Sequence, residues 1–247
     1  MNPIEILLNH KTIREFKMTP VPGDQLRTLL EVSKRTATSM GLQNYSIIRI
    51  TDKGLKERIA KEVCNQEYVA RIPELFIFIA DAYRNFKIAE EQGAESSVSY
   101  GSYTFFQGFT DACLAAQNMV GAAELGGYGT IYLGSVLNNA PKLIEILGLP
   151  KYTFPVLGVG IGVADQKPQL KPRIPMEYTV FNNSYQTYDS YLDTLAEYDE
   201  EMTEYYDTRN MNQRSDSFTK QVAARMGRHL VLHETLGDQI RAQGFTI

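Results

Sequence analysis

Basic and hydroxylic side chains group at three places in the sequence. His10, Lys11, Thr12 and Arg14 lie close together, directly after a short predicted helix. Thr38 and Ser39 supply hydroxyls after the next helix, and Lys171-Pro172-Arg173 sets two cations either side of a rigid proline. Charge-assisted donors and hydroxyls on constrained backbone are the components of a phosphate site. A set of solvated basic loops has the same composition, so the residues by themselves leave both readings open.

Other chemical devices fail on spacing. Gly158-Val159-Gly160-Ile161-Gly162 lacks the G-x-G-x-x-G interval and falls inside a strand pattern. Its glycines alternate on one face, which suits close approach by a packed helix or a flat ligand, with plain packing favoured. The sequence has no G-x-x-x-x-G-K-[ST] loop and no G-x-S-x-G elbow. His229 and His233 stand four apart, but Leu230 occupies the place where a catalytic H-E-x-x-H needs glutamate. They read as a structural or solvent-facing pair, and no metal is expected. Glu197, Asp199, Glu200, Glu201 and Glu204 read as a solvated helix face.

Composition narrows the function classes. A net charge of −4 over 247 residues gives no overall positive field to attract nucleic acid. Cys64 and Cys113 are too few for a disulfide framework and are expected as reduced thiols. Met1 to Thr19 contains no apolar targeting segment, and stretches such as Phe154 to Ala164 fall short of the roughly 18 residues needed to cross a bilayer. A soluble cytoplasmic protein, with neither membrane nor nucleic-acid partner, is the expectation.

The elements that must position these residues follow from periodicity and punctuation. Asn2-Pro3 opens a short helix through Leu8, and Asn9 to Thr19 reads as a polar loop. A helix runs from about Pro22 to Ser33 and another from Asp52 to Cys64. Tyr45–Ile50, Leu75–Ala80, Thr130–Gly134 and Phe154–Ala164 read as strands, the second apolar throughout and hence covered on both faces. Ser102 to Leu125 is the longest helix, apolar around most of its circumference, so it is expected buried in the fold or at a subunit interface. Gly126-Gly127 ends it. Helices are also expected over Pro141–Leu147, Asp189–Tyr206, Ser217–Met226 and Asp238–Gln243. The layout suggests an α+β core in one domain, 1–247, with 171–247 as a wrapping extension.

The chain resembles the nitroreductase family, in its branch of oxygen-insensitive nitroreductases and NADPH–flavin oxidoreductases. The resemblance rests on H-K-T-I-R-E-F, L-Q-N-Y-S-I-I-R-I, A-A-Q-N-M, G-T-I-Y-L-G-S…N-N, L-K-P-R-I-P, N-S-Y-Q and D-E-E-M-T-E-Y-Y-D-T-R, in shared order along nearly the whole chain. It implies a homodimer with a mainly antiparallel sheet covered by helices, the long helix at the dimer interface and FMN held between subunits. His10, Lys11, Thr12, Arg14, Thr38, Ser39 and Met40 would then be flavin ligands, and Lys171 and Arg173 would grip the phosphate. Gln66 would reach the polar edge of the ring, with Tyr68 nearby. Leu133, Gly134 and Ser135 would pass beside it, the Gly134 amide facing the N5/O4 edge. Arg209 and Arg214 match arginines associated with NADPH.

The chain departs from the family pattern at Lys11, where arginine is common, and at Met40 and Gly41, which interrupt a run of serines. Ser135 stands for a frequent glycine. The implied chemistry is ping-pong: hydride passes from NADPH or NADH to flavin N5, then two electrons reduce a small-molecule acceptor such as a nitroaromatic, quinone or free flavin. Arg14 would stabilise negative charge developing toward N1/O2, and no side-chain nucleophile or base is needed. A same-fold enzyme with a narrow metabolic substrate, or a flavin-binding redox module with little turnover, are the alternatives.

Overall fold

The computed structural model describes residues 2–94, 101–207, 216–227 and 231–247. The chain divides into two compact units, Met1–Lys167 with Leu232–Ile247, and Pro168–Val231.

In chain order the first unit contains α1 (Pro3–Leu8), α2 (Gly23–Lys34), β1 (Tyr45–Ile50), α3 (Lys53–Arg58), β2 (Glu74–Asp81), α4 (Tyr83–Glu91), α5 (Ser102–Leu125), β3 (Gly129–Leu133), α6 (Ala140–Leu147) and β4 (Thr153–Gly162). The second unit contains α7 (Tyr191–Thr194), α8 (Ala196–Asp207) and α9 (Phe218–Met226), after which α10 (Val231–Ala242) follows. The strands form a sheet of order β1-β2-β4-β3 in which every pairing is antiparallel. The fold is the expected α+β arrangement.

β2 is buried at every position, because both faces of the sheet are covered. Phe76, Phe78 and Ala80 pack with Val159 and Ile161 against α2 and α5. Leu75, Ile77 and Ile79 pack on the other side with Ile50, Ile59, Val63, Ile131 and Leu133. Each fully buried phenylalanine contributes on the order of 1.5–3 kcal/mol before packing is counted. Gly158, Gly160 and Gly162 face the second layer. A Cβ at Gly160 would lie 2.7 Å from Ile131 and 2.9 Å from Ile72, so these glycines are packing residues, as expected.

α5 covers the sheet through its small residues, Ala112, Ala115, Ala116 and Ala123, with Met119 among them. Gly108 permits the closest approach, since a Cβ there would stand 2.7 Å from the Asn44 carbonyl. The opposite side of α5 is not buried within the chain: Tyr103, Phe106 and Leu114 are exposed. Gly127, at φ 81°, supplies the left-handed residue just beyond its end.

Several elements differ from expectation. Asp52–Cys64 is not one regular helix: α3 gives way to a wider π-type turn over Ile59–Cys64, ended by Asn65 at φ 52°. α4 lacks any buried residue, so it carries no apolar stripe to announce it. The helix expected over 189–206 breaks at Leu195, whose ψ of 14° departs from helical geometry. Asp199 is half-buried, its side chain accepting from the Thr219 amide at 2.9 Å near the start of α9, while Glu197, Glu200, Glu201 and Glu204 are exposed. α10 is longer than the Asp238–Gln243 segment expected. Both cysteines are free. Among the described residues no helix is long and apolar enough to cross a membrane. His229 and the His233 side chain lie outside the described residues.

Candidate functional site

The segment carrying His10 to Arg14 is not a free loop. Thr12 bridges Thr130 on the edge strand β3, and the Ile13 amide donates to the Thr130 carbonyl at 2.8 Å. Phe16 bridges Ala164, just past β4. Ile13 turns inward and is buried against Gly129, where a Cβ would approach it to 2.8 Å. The Gln166 side-chain oxygen accepts from the backbone amides of Arg14 and Glu15, at 3.1 and 2.8 Å. One apolar anchor and several hydrogen bonds therefore fix the backbone from which the cations project.

His10 is oriented by Glu124, the penultimate residue of α5. Its Nδ1 lies 2.6 Å from Glu124 Oε1, which also accepts from the Thr130 hydroxyl at 2.5 Å. Glu124 is largely buried, so the imidazole has a fixed partner on one nitrogen. His10, Lys11, Glu124 and Thr130 line a cleft of about 500 Å³ with Ile6 and Tyr128.

At the other end of the segment Arg14 meets a second group. Burial raises the pKa of the Tyr68 phenol, and the charge of Arg14 opposes that rise. Tyr68 Oη donates to Gln66 Oε1 at 2.9 Å, and Ser135 Oγ donates to the same oxygen at 2.8 Å. Cys64 lies nearby, and burial pushes its thiol above its usual pKa while Ser135 opposes that rise. Gln66 owes its place to the π-type turn: after the left-handed Asn65, its amide reaches back to the Ala60 carbonyl at 3.0 Å. Leu133 is buried at the end of β3, and Gly134 and Ser135 begin a short 3₁₀ turn. A Cβ at Gly134 would meet nothing within 4 Å, so packing within the chain does not demand glycine there.

Thr38, Ser39 and Met40 lie elsewhere in the first unit. The Ser39 and Asn44 amides donate to the two carboxyl oxygens of buried Asp111, at 2.9 and 3.0 Å, and Gln107 donates to Ser39 Oγ at 2.8 Å. Met40 is left-handed (φ 54°) and 77% exposed. Asp111 and Glu124 are both on α5, thirteen residues apart and so about 20 Å along its axis. Within one chain, the Thr38–Met40 turn and His10 are held at well-separated points of that helix.

In the second unit, Arg173 Nη1 donates to the Lys171 and Pro172 carbonyls at 3.1 and 3.3 Å, and both cations are exposed. Arg209 and Arg214 lie outside the described residues. Asp111, Gln107, Glu124 and Gln166 are positioning residues that sequence reasoning missed. The available signal was a lone acid or amide in an apolar helix, and at Glu124 an acid near a helix C-terminus, where the dipole disfavours it.

Residues 7–163 match the nitroreductase family, and residues 171–247 match the nitroreductase family's C-terminal domain. An NADPH-dependent oxidoreductase of Staphylococcus saprophyticus is 40% identical over 222 residues, covering 88% of each chain. The structure of the NfrA1 nitroreductase from B. subtilis superposes with a TM-score of 0.91 at 32% identity, over 99% of each chain. That of the NADPH:FMN oxidoreductase from Vibrio harveyi, complexed with NAD+, gives 0.88 at 28% identity, again over 99% of each. With both parts of the sequence matched and the fold shared along its length, this chain belongs to the nitroreductase family.

Proposed function

We propose that this chain is an FMN-dependent NAD(P)H oxidoreductase that reduces small-molecule acceptors, such as nitroaromatics, quinones or free flavins, by two electrons. The observation that carries the reading is the hydrogen-bonded group of Tyr68, Gln66 and Ser135, with the Arg14 charge acting on it from a third chain segment. The donor set fits FMN. A guanidinium and an amide suit the carbonyl-rich edge of a flavin, and the unfilled space over Gly134 leaves room for a flat ring.

Bound FMN supplies the redox chemistry, taking hydride from a nicotinamide and passing two electrons to an acceptor. The residues do the rest. Arg14 offers a preorganised positive charge where negative charge develops, worth up to roughly 4 kcal/mol at about 4 Å and an effective dielectric of 20. Gly134 brings its backbone amide close because it has no side chain. Gln66, Tyr68, Leu133 and Ser135 border the ring, while His10, Lys11 and Thr12 serve the ribityl and phosphate, with Lys171 and Arg173 as phosphate cations. Arg209 and Arg214, on the 171–247 extension, recognise the 2′-phosphate of NADPH.

The reading includes a homodimer. The Thr38–Met40 turn and His10 sit about 20 Å apart along α5, so a two-fold partner is needed to bring one beside the other. The exposed aromatic face of α5 and the exposed Ile4 and Leu8 of α1 give that partner an apolar surface. One cleft used in turn by nicotinamide and acceptor predicts ping-pong kinetics.

Purified protein should carry a yellow flavin that NADPH bleaches rapidly under anaerobic conditions and that quinone restores. Parallel double-reciprocal lines are the expected kinetic pattern. A colourless protein that refuses FMN would refute the reading, and bound FMN that neither nicotinamide bleaches would make the chain a flavin-binding module.

A further inference from the structure

We propose that Ser135 and Tyr68 lock the Gln66 side-chain amide with its oxygen inward, so that Gln66 meets its ligand only as a hydrogen-bond donor. The inference rests on the FMN reading above.

The argument is one of proton direction. Gln66 Oε1 receives Tyr68 Oη at 2.9 Å and Ser135 Oγ at 2.8 Å, which occupies both of its lone pairs. Arg14 acts on Tyr68, and a guanidinium has five N–H donors and no acceptor. A cation beside the phenol favours the hydroxyl proton turned away from it, toward Gln66 Oε1 at 2.9 Å. On the other side Cys64 is buried beside Ser135, and its burial keeps the thiol protonated. The serine proton turns toward Gln66 Oε1, at 2.8 Å. Both arms run inward and end on one oxygen.

Reversing the amide would break this order. Nε2 would then face two hydroxyl oxygens, and the protons of Tyr68 and Ser135 would lose the acceptor they share. A buried or half-buried polar group left in that state is disfavoured. The inward orientation leaves both Nε2 protons for whatever borders the group.

This has a chemical consequence for the ring. A flavin presents acceptors at N1, O2, O4 and N5 and a donor at N3–H. A locked donor at Gln66 can pair with any of the acceptors and cannot pair with N3–H.

The test measures FMN dissociation constants by fluorescence quenching for wild type, Ser135→Ala, Tyr68→Phe, Gln66→Ala and their combinations. Removing both hydroxyls should weaken FMN binding by about fivefold or more, the scale of one lost hydrogen bond. In the Gln66→Ala background the same pair should change affinity by less than about twofold, because a locking role acts through Gln66. Ser135→Thr, which keeps the donor, should restore wild-type affinity in place of Ser135→Ala. A second readout uses ¹⁵N-labelled FMN: Gln66→Ala should leave the N3 resonance unmoved while an acceptor nitrogen or the adjoining carbonyl region shifts. Losses that add fully in the Gln66→Ala background, or an N3 resonance that follows residue 66, would overturn the lock while leaving FMN binding intact. Wild-type protein that fails to bind FMN would instead overturn the underlying functional reading.

Discussion

The backbone of Arg14 is fixed, its amide donating to Gln166, and its charge acts on Tyr68. The proposed role for that charge is electrostatic stabilisation without reorganisation. Arg14→Ala should retain measurable FMN but slow reduction of that FMN by NADPH about 100-fold, the typical loss for one preorganised donor. Stopped-flow reduction of FMN-loaded protein reads this directly, and a wild-type rate in the variant would take the role away from Arg14. The basic character of the 10–14 segment was legible in the sequence because the side chains are adjacent. Glu124 and Asp111 were not: each reaches its partner across 114 and 72 residues respectively, a relation that only the folded chain creates.

At the scale of elements, the sheet and α5 were legible because they are long apolar runs with sharp ends. β2 is apolar through Leu75–Ala80, and Gly127 marks the end of the helix. α4 was not legible, since a helix that buries nothing has no stripe to reveal it. Nor was the π-type turn at Ile59–Cys64, because Leu55, Ile59 and Val63 keep helical spacing while the hydrogen bonding widens. That turn delivers Gln66, so the least readable element carries one of the site's central residues; such insertions often sit at functional positions. The glycines of β4 make a sharper test of packing. Gly160→Ala would drive a methyl to within 2.7 Å of Ile131 and 2.9 Å of Ile72. We expect it to cost about 1–3 kcal/mol by overpacking, seen as a lower urea midpoint with an unchanged slope. Stability equal to wild type would mean that the layer over β4 yields more easily than its spacing implies.

At the scale of the whole molecule, the apolar side of α5 and the position of the Thr38–Met40 turn belong to one question. Tyr103 is 68% and Phe106 60% exposed on a helix whose other side is core, a surface suited to a second copy. Phe106→Glu should yield monomers by light scattering. If the site is shared between copies, FMN affinity should fall with dimerisation by about tenfold or more. A monomer that binds FMN as tightly as wild type would place the whole site within one chain. The segment that bears Arg14 is also the segment that bridges β3 and pairs beyond β4. The proposed ligand recognition and the pairing at the sheet edge thus share the same short stretch of backbone. A ligand held there binds the folded chain and not the unfolded one, so by mass action its concentration sets part of the fold's own stability. Occupancy of the site and integrity of the sheet edge become linked variables, each a function of the other.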